Sequence, residues 1–213
     1  MHCPLCQSSS HFFHQDKTRE YHRCSHCKLV FVPKQFHLTA DDEKAIYDQH
    51  ENNPNDLHYL RFLNRLAAPL LHHLNNKNHL PQIGLDFGCG PGPGLATLLS
   101  SAGHHLSIYD IFYAPYSERL ATTYDFVTCT EVVEHLNDPA TTLALLFGLL
   151  KSGAILGVMT KRVINQERFA NWHYKNDPTH VIFFCEDTFA YLAKQYRCDV
   201  IYQEGDVVLF KKH

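Results

Sequence analysis

The chain has 213 residues, 45% of them hydrophobic, which is enough for one ordinary domain with a buried core and a small additional unit. Its formal charge is -3 with the 17 histidines counted as neutral, so its composition argues against tight non-specific binding to a phosphate backbone. No apolar run reaches about 18 residues and the N-terminal residues MHCPLCQSSS do not form a secretory signal, so we expect neither a membrane protein nor a secreted one.

Two C-x-x-C pairs lie near the N-terminus, formed by Cys3 with Cys6 and by Cys24 with Cys27. Zinc takes four soft ligands in a tetrahedron, and each pair can supply one edge of it from a tight turn. Residues 1–33 are too few to be stabilised by core burial alone, so we predict a structural zinc ion with sulfur in all four positions. The alternative is a pair of redox-active or incidental C-x-x-C sequences.

The other cysteines, Cys89, Cys129, Cys185 and Cys198, are scattered through apolar or motif segments. A short secreted chain would use its cysteines in disulfides, so this distribution is typical of a reducing compartment. We therefore predict a cytoplasmic protein.

Residues 34–50 are polar and acidic and are predicted to form a connector. Leucines recur at helical spacing between residues 55 and 74, which predicts one or two amphipathic helices with Pro69 as a kink or a break. Residues 75–79 are predicted to form the turn that ends this part of the chain.

From residue 83 onward, short apolar strands alternate with helices. Strands are predicted at 83–87, 105–109, 124–129 and 154–159, helices at 95–102, 140–150 and 186–196, and a hairpin at 199–202 and 207–210. Asp138 is predicted to cap the second of these helices, and residues 151–153 to end it. The alternation predicts an α/β fold, a mostly parallel doubly wound sheet with a C-terminal antiparallel hairpin.

The turn after the first of these strands reads Asp86-Phe-Gly-Cys-Gly-Pro-Gly92. Gly88, Gly90 and Gly92 allow a sharp bend and let main-chain N–H groups approach a ligand closely. The spacing G-x-G-x-G does not match the dinucleotide fingerprint G-x-G-x-x-G.

This turn resembles the first motif of class I S-adenosylmethionine-dependent methyltransferases, which have a Rossmann-like fold. The resemblance implies that the glycine turn lies beside the methionine part of the cofactor and that Asp86 reaches its amino group. It also implies that Asp110, at the end of the second strand, holds the ribose hydroxyls. Thr130 and Glu131 complete the cofactor-binding set that we expect.

Two further stretches, at residues 124–136 and 150–156, are similar to later motifs of the same family, so the resemblance covers roughly residues 83–213. Only 13 residues separate Asp110 from Tyr124, too few for the third strand and the helix that the family carries there. The usual adenine contact must then come from elsewhere, and Ile111, Phe112 or Thr130 are the candidates.

A catalytic group is predicted in the sequence E-x-x-E-H formed by Glu131, Glu134 and His135, together with His180 on a later loop. Methyl transfer requires a positioned acceptor and, for some acceptors, removal of a proton. We predict that His135 or His180 is the general base, that Asp177 orients His180, and that Glu134 pairs locally.

The same pattern resembles ubiquinone-pathway O-methyltransferases and small-RNA 2′-O-methyltransferases, in which such residues hold a divalent ion. A second divalent ion at Glu131, Glu134, His135 and His180 is therefore the alternative to metal-free base catalysis. Aromatic residues on the loop before and after His180 are predicted either to line a flat acceptor pocket or to belong to the core; they are Trp172, Tyr174 and Phe183.

The sequence thus predicts a zinc ribbon over residues 1–33, a linker and helical lid over 34–80, and a methyltransferase domain over 81–213. The expected reaction transfers a methyl group from S-adenosylmethionine to a hydroxyl or amine of a small-molecule acceptor. An RNA methyltransferase guided by its zinc ribbon ranks second because of the acidic balance, although one rRNA guanine methyltransferase family carries a similar cysteine-rich module. A non-catalytic zinc-ribbon protein that only binds a ligand is the third possibility.

Overall fold

A computed structural model describes residues 1–49, 52–53, 56–75 and 81–213. Within them the α-helices are α1 (Ala40–Tyr47), α2 (Leu57–Asn75), α3 (Gly94–Ser101), α4 (Pro139–Gly148), α5 (Gln166–Ala170) and α6 (Glu186–Gln195). The strands are β1 (Ser10–Gln15), β2 (Glu20–Cys24), β3 (Val30–Phe31), β4 (Ile83–Phe87), β5 (His105–Tyr109), β6 (Tyr124–Thr130), β7 (Leu150–Met159), β8 (Ile182–Phe183), β9 (Cys198–Glu204) and β10 (Val207–Lys212). The predicted helix start at residue 55 and the predicted turn at 76–79 lie outside the described residues.

The larger sheet has the strand order β5-β4-β6-β7-β10-β9. β5, β4, β6 and β7 run parallel, whereas β10 pairs antiparallel with both β7 and β9. This arrangement confirms the predicted mostly parallel sheet with an antiparallel C-terminal hairpin. The carboxyl ends of β4, β5 and β6 meet at one edge, where open α/β sheets keep their ligands.

Side chains of the larger sheet alternate between two buried layers. Along β7, Leu156 and Val158 belong to the layer that contains α4 and α6, and Ile155 and Met159 to the layer that contains α2 and α3. Successive strand residues point to opposite faces, so a strand that is apolar throughout must be covered on both sides. The doubly wound α/β prediction is therefore confirmed.

α2 is one continuous helix that runs through Pro69 without dividing. Its residues Leu63, Leu66, Leu70 and Leu74 are buried before and after the proline. Burial of this stripe against the sheet offsets the hydrogen bond that proline removes. Most of α2 is thus a layer of the fold, although we predicted it as a lid.

Among the described residues, no helix combines the length and the apolar character that a membrane span needs.

Two local predictions need correction. The 34–50 connector contains α1, which begins after Thr39 because that side chain accepts a hydrogen bond from the Asp42 N–H. Residues 151–153 do not end a helix but belong to β7, which pairs Leu150 with Tyr124 and then Ile155 with Phe126. The register shift between these pairs is a bulge in β7, and Gly153 adopts a φ of 71° within it.

The missing third strand is confirmed. The described residues between β5 and β6 form turns and a short 3₁₀ helix at Ser117–Ala121 and add no strand to the larger sheet. β5 therefore lies at the sheet edge, next to β4.

A smaller antiparallel sheet has the order β1-β2-β3-β8. Its last strand comes from the C-terminal half of the chain, with Val30 opposite Phe183 and Phe31 opposite Ile182. The N-terminal cysteines and the larger sheet share one continuous apolar core. The predicted boundary at residue 33 stays a prediction, but residues on both sides of it belong to the same sheet and core.

Candidate active site

A cavity of ≈ 720 Å³ opens at the carboxyl ends of β4, β5 and β6. It is lined by the glycine turn after β4, by the residues that follow β5 and β6, by α1, by the start of α2, and by Asp177 and His180. The predicted site residues that line it are Asp86, Gly88, Gly90, Asp110, Thr130, Glu131, His135, Asp177 and His180. Gly92 and Glu134 are not among the described lining residues.

The glycine turn is held against the end of β5. The N–H groups of Gly88 and Cys89 donate to the main-chain oxygen of Tyr109 at 2.7 and 3.2 Å. Gly88 and Gly90 have φ of 76° and 63°, the left-handed region that glycine adopts without steric cost. A Cβ on Gly88 would also lie 2.3 Å from a methyl carbon of Val132, so only glycine fits there.

Asp110 joins the glycine turn to the residues after β5. Its Oδ2 accepts the Gly90 N–H at 3.0 Å, and its Oδ1 accepts the N–H groups of Phe112 and Tyr113 at 2.8 and 3.1 Å. A carboxylate has about four acceptor positions, so Oδ2 can accept one further donor from a ligand.

Asp86 lies at the end of β4 and is almost fully buried. Burial raises its pKa to about 6, although Thr128 Oγ1 donates to its Oδ1 at 2.8 Å and favours the ionised form. A cationic group brought into the cavity beside Asp86 would return this carboxyl to the charged form.

Gly92 serves close packing: a Cβ there would lie 1.9 Å from the main-chain oxygen of Asn52, which itself lines the cavity. Thr130 and Glu131 follow β6. Glu131 has a φ of 50°, unusual for a residue with a side chain, and the buried Thr130 Oγ1 atom finds no hydrogen-bond partner in the part of the chain that the structure describes.

Glu134 lies behind the cavity wall and is completely buried. The Tyr174 hydroxyl donates to Glu134 Oε1, and it lies 3.3 Å from Glu131 Oε2. Burial raises the pKa of Glu134 to about 8 and that of Glu131 to about 7, and the proximity of Glu131 adds to the shift of Glu134. At neutral pH the structure therefore favours at least one proton on this pair.

His180 has the geometry of a base in its neutral form. Its Nδ1 lies 2.7 Å from the main-chain oxygen of Tyr174, which accepts the Nδ1 hydrogen and leaves a lone pair on Nε2. Nε2 lies 3.9 Å from Asp177 Oδ2. Burial lowers the pKa of His180 despite this carboxylate, so the neutral ring is favoured near pH 7.

His135 lies beside His180, with ring centroids 4.7 Å apart. Its Nδ1 is 3.2 Å from the main-chain oxygen of Thr179, and Tyr47 of α1 meets its ring edge to face. Glu134, His135 and His180 each offer a possible metal-ligand atom, and these atoms lie within 4.8 Å of one another. Glu131, the fourth predicted ligand, is outside this group of described residues.

Trp172, Tyr174 and Phe183 belong to the core, the second of the two predicted possibilities. None of them is among the described lining residues, and they pack on one another and on the buried Phe169. The adenine candidates Ile111 and Phe112 do line the cavity, as does Thr130.

Sequence reasoning offers Tyr47 as a possible ligand contact, but it missed α1, the helix that carries Tyr47, and the neighbouring Glu43. Glu43 and Tyr47 line the cavity, and the Tyr47 hydroxyl donates to Glu43 at 2.6 Å. Asp48 accepts the Tyr113 hydroxyl at 2.7 Å, which ties α1 to the residues after β5. The Thr39 cap with acidic residues after it was the signal for this helix. The sequence also offers His58, Tyr59 and Arg61 of α2 as possible ligand contacts; Tyr59 lines the cavity, whereas His58 and Arg61 are exposed.

The four N-terminal cysteines converge. Cys3 Sγ lies 3.6 Å from Cys27 Sγ, and Cys6 Sγ lies 3.4 Å from Cys24 Sγ. All four sulfur atoms lie within 4.8 Å of one another. Zinc–sulfur bonds of about 2.3 Å in a tetrahedron place the sulfurs about 3.8 Å apart, so the arrangement fits a zinc ion. These separations are also far beyond a disulfide bond of about 2.05 Å.

Residues 59–203 match a protein family described as "Methyltransferase domain". No curated protein matches the chain. One similar structure is that of 1,6-didemethyltoxoflavin-N1-methyltransferase from Burkholderia thailandensis, with bound 1,6-didemethyltoxoflavin and S-adenosylhomocysteine. The superposition has a TM-score of 0.57 at 16% sequence identity, and it covers 96% of this chain and 99% of that chain. Magnesium protoporphyrin IX methyltransferase from Synechocystis, with bound S-adenosylmethionine, gives a TM-score of 0.53 at 14% identity, over 84% of this chain and 93% of that chain. At these identities the likeness shows a shared fold.

Proposed function

The chain belongs to the family with this methyltransferase domain, and on that basis we propose that it transfers the methyl group of S-adenosylmethionine to a hydroxyl or amine of a small molecule. The observation that carries the proposal is the hydrogen bond between the Gly90 N–H and Asp110, two residues that line the cavity of ≈ 720 Å³. It brings the glycine turn and a ribose-binding carboxylate to one place, at the carboxyl ends of parallel strands.

Each part of the cofactor is assigned a partner along this wall. Asp86 is assigned to the amino group of the methionine part, and Asp110 to the ribose, one hydroxyl of which donates to the remaining acceptor position of Oδ2. Ile111, Phe112 and Leu120 line the cavity next to Asp110 and are assigned to the adenine ring, in place of the missing third strand.

A small acceptor suits the size of the cavity. Ligand sites of about 300–1,000 Å³ enclose drug-sized molecules, and ≈ 720 Å³ has room for the cofactor and a compact second molecule. Two of the similar structures are of enzymes named for small-molecule substrates, a toxoflavin precursor and a magnesium porphyrin. These observations favour a small molecule over structured RNA.

The reaction needs one proton acceptor, and we assign that role to His180. A lone pair of the acceptor oxygen or nitrogen attacks the methyl carbon, the carbon–sulfur bond breaks with its electron pair going to sulfur, and the acceptor proton passes to Nε2 of His180. The Asp177 carboxylate, 3.9 Å away, stabilises the imidazolium that forms. His135, on the same wall of the cavity, is the second candidate for the base.

The group of Glu134, His135 and His180 also suits a divalent cation in its donor chemistry, because one oxygen of the buried Glu134 has no hydrogen-bond partner among the described residues. Such an ion would supply Lewis-acid activation of an acceptor hydroxyl. Full activity after exhaustive treatment with EDTA supports His180 as a metal-free base, whereas loss of activity that Mg²⁺ or Mn²⁺ restores supports the ion.

The four cysteines are assigned to structural zinc. The contact between the Cys3 and Cys27 thiols lowers the pKa of Cys3 and raises the pKa of Cys27, so it favours a thiolate on one of the two. With four sulfur ligands the ion has no open position, so it would stabilise the fold and take no part in the reaction.

The test uses S-adenosylmethionine with a deuterated methyl group. The protein is incubated with this cofactor and either a metabolite extract or total RNA, and products that gain the labelled methyl are identified by mass spectrometry. We expect a labelled small molecule that is absent with the Asp110→Ala variant. Label in RNA alone, or in no product, would contradict the proposal.

A further inference from the structure

Arg19, in the turn between β1 and β2, reaches the loop that carries His180. It is only 6% exposed. Nη2 donates to the main-chain oxygens of Lys175 and Asp177, the latter at 2.7 Å, and Nη1 donates to that of Pro178 at 3.2 Å. One guanidinium therefore binds three carbonyl groups of a single short segment. That segment lies more than 150 positions away from Arg19 in the sequence.

A second set of contacts anchors the same segment. Lys175 Nζ donates to Asp16 Oδ2 at 3.0 Å, and the Tyr21 hydroxyl donates to the same atom at 2.7 Å. The Arg19 Nε donates to the Tyr21 oxygen at 3.0 Å. The turn of the β1–β2 hairpin and the start of the loop thus form one buried polar network.

The anchored segment, residues 174–180, holds the groups assigned to the acceptor side. Tyr174 accepts from Nδ1 of His180, and Asp177 faces Nε2 of the same ring. Directly after it, the Val181 N–H donates to the main-chain oxygen of Glu134 at 2.9 Å, and the Val32 N–H donates to Val181 at 2.8 Å. The position of His180 is therefore set from both ends of the segment.

A guanidinium suits this task because its donors diverge in a rigid plane. Residues 177–181 form no helix or strand of their own, and the guanidinium supplies donors to main-chain oxygens of this irregular segment, among them that of Asp177, which also accepts the His180 N–H at 3.2 Å. A lysine at position 19 would carry the same charge but could not hold three oxygens in a fixed geometry.

We propose that Arg19 is a positioning residue that fixes the 174–180 segment, so that the four-cysteine unit supports the acceptor side of the cavity from outside, through the hairpin it carries. This inference rests on the proposed acceptor-side role of His180. It assigns the N-terminal unit a part in the reaction, through the hairpin it carries, in addition to stabilising the fold.

The natural reporter is Trp172, the one tryptophan of the chain, with its ring 5.0 Å from that of Tyr174. The test compares Arg19→Gln and Arg19→Lys with the control Arg23→Gln. Arg23 lies on the same hairpin, and its guanidinium packs over the Phe13 ring, 5.6 Å from the ring centroid. Three quantities are measured: acrylamide quenching of Trp172, amide exchange of Val181, and affinity for S-adenosylhomocysteine by calorimetry.

We expect Arg19→Gln to raise Trp172 quenching and to speed Val181 exchange by about tenfold or more, because the segment opens locally. Arg19→Lys should show a smaller effect and Arg23→Gln none. The affinity for S-adenosylhomocysteine should stay within about twofold in all three, since its assigned partners lie on other elements. Methylguanidinium should reverse the quenching change in Arg19→Ala and leave the quenching of Arg23→Ala, which should equal that of wild type, unaltered.

The inference is wrong if Val181 exchange and Trp172 quenching in Arg19→Gln match those of Arg23→Gln. It is also wrong if affinity for S-adenosylhomocysteine falls in parallel with the quenching change, since that would indicate general loss of structure. Failure of the proposed function has a different signature: the wild-type protein would not bind S-adenosylhomocysteine at all, whatever the state of the loop.

Discussion

Nδ1 of His180 lies 2.7 Å from the main-chain oxygen of Tyr174, and the centroids of the two rings are 4.1 Å apart. The hydrogen bond fixes the tautomer in which Nε2 carries the lone pair, and the ring contact excludes water from one side of the imidazole. The orientation of His180 therefore depends on this pairing, whereas burial keeps the ring neutral by lowering its pKa.

Replacing His180 tests its role as the base. His180→Gln should lower the rate of methyl transfer by about 10² to 10⁴-fold while affinity for S-adenosylhomocysteine stays unchanged. His135→Gln is the matched comparison, and a larger loss there would transfer the role to His135.

The pH dependence follows from burial. Because burial lowers the pKa of His180, the wild-type rate should stay level as the pH falls to about 6.5 and drop only below it. A rate that already declines between pH 8 and 7 would contradict this prediction.

Glu134 should make stability depend on pH. Burial raises its pKa from 4.5 to about 8, so between these values the folded chain keeps a proton that the unfolded chain has lost. The free energy of unfolding should therefore fall as the pH rises through this window. The free energy of unfolding of Glu134→Gln should depend less on pH than that of wild type. At pH 8 it should exceed the wild-type value by about 1 kcal/mol or more, measured by urea unfolding. A destabilised variant that also loses a bound divalent ion would instead favour the cation site.

Gly88 should tolerate no side chain. Gly88→Ala combines a positive φ with a Cβ 2.3 Å from Val132, so we expect it to cost about 2 kcal/mol or more and to weaken cofactor binding. Gly148→Ala is the control, because a Cβ at this last residue of α4 meets nothing within 4 Å. It should be neutral or stabilising by up to about 1 kcal/mol in thermal unfolding. Equal effects of the two variants would contradict the packing argument.

Zinc should be present and structural. Elemental analysis should give one zinc per chain, and its removal by a strong chelator should lower the melting temperature and speed amide exchange in β1–β3 and in β8, which shares their sheet. Cys24→Ser should have the same effect. Protein without zinc but with unchanged melting would contradict the assignment.

The alternating strands and helices, the hairpin and the missing third strand were all readable from the sequence, because each depends on local apolar periodicity and segment length. The bulge at Gly153 was not, since it arises where β7 must match the register of β6. The predicted kink or break at Pro69 was wrong for a similar reason. Burial of α2 against the sheet outweighs the local preference of one proline.

In the candidate site, the glycine turn, Asp110 and His180 could be identified from the sequence by their positions relative to the predicted strands. The contribution of β8 and Arg19 could not, because a two-residue strand has no periodicity and an arginine in a turn gives no sign of its distant carbonyl partners. Long-range polar contacts of this kind follow only from the fold.

The most direct test of the account is a calorimetric titration of the protein with S-adenosylhomocysteine, for wild type, Asp110→Ala and Asp110→Asn. We predict one site per chain in the wild type. We predict no detectable binding in Asp110→Ala, which loses both the ribose acceptor and the anchor of the Gly90 N–H, and weakened binding in Asp110→Asn, which keeps one acceptor oxygen. A wild-type protein that does not bind, or that binds equally after both substitutions, would contradict the central claim.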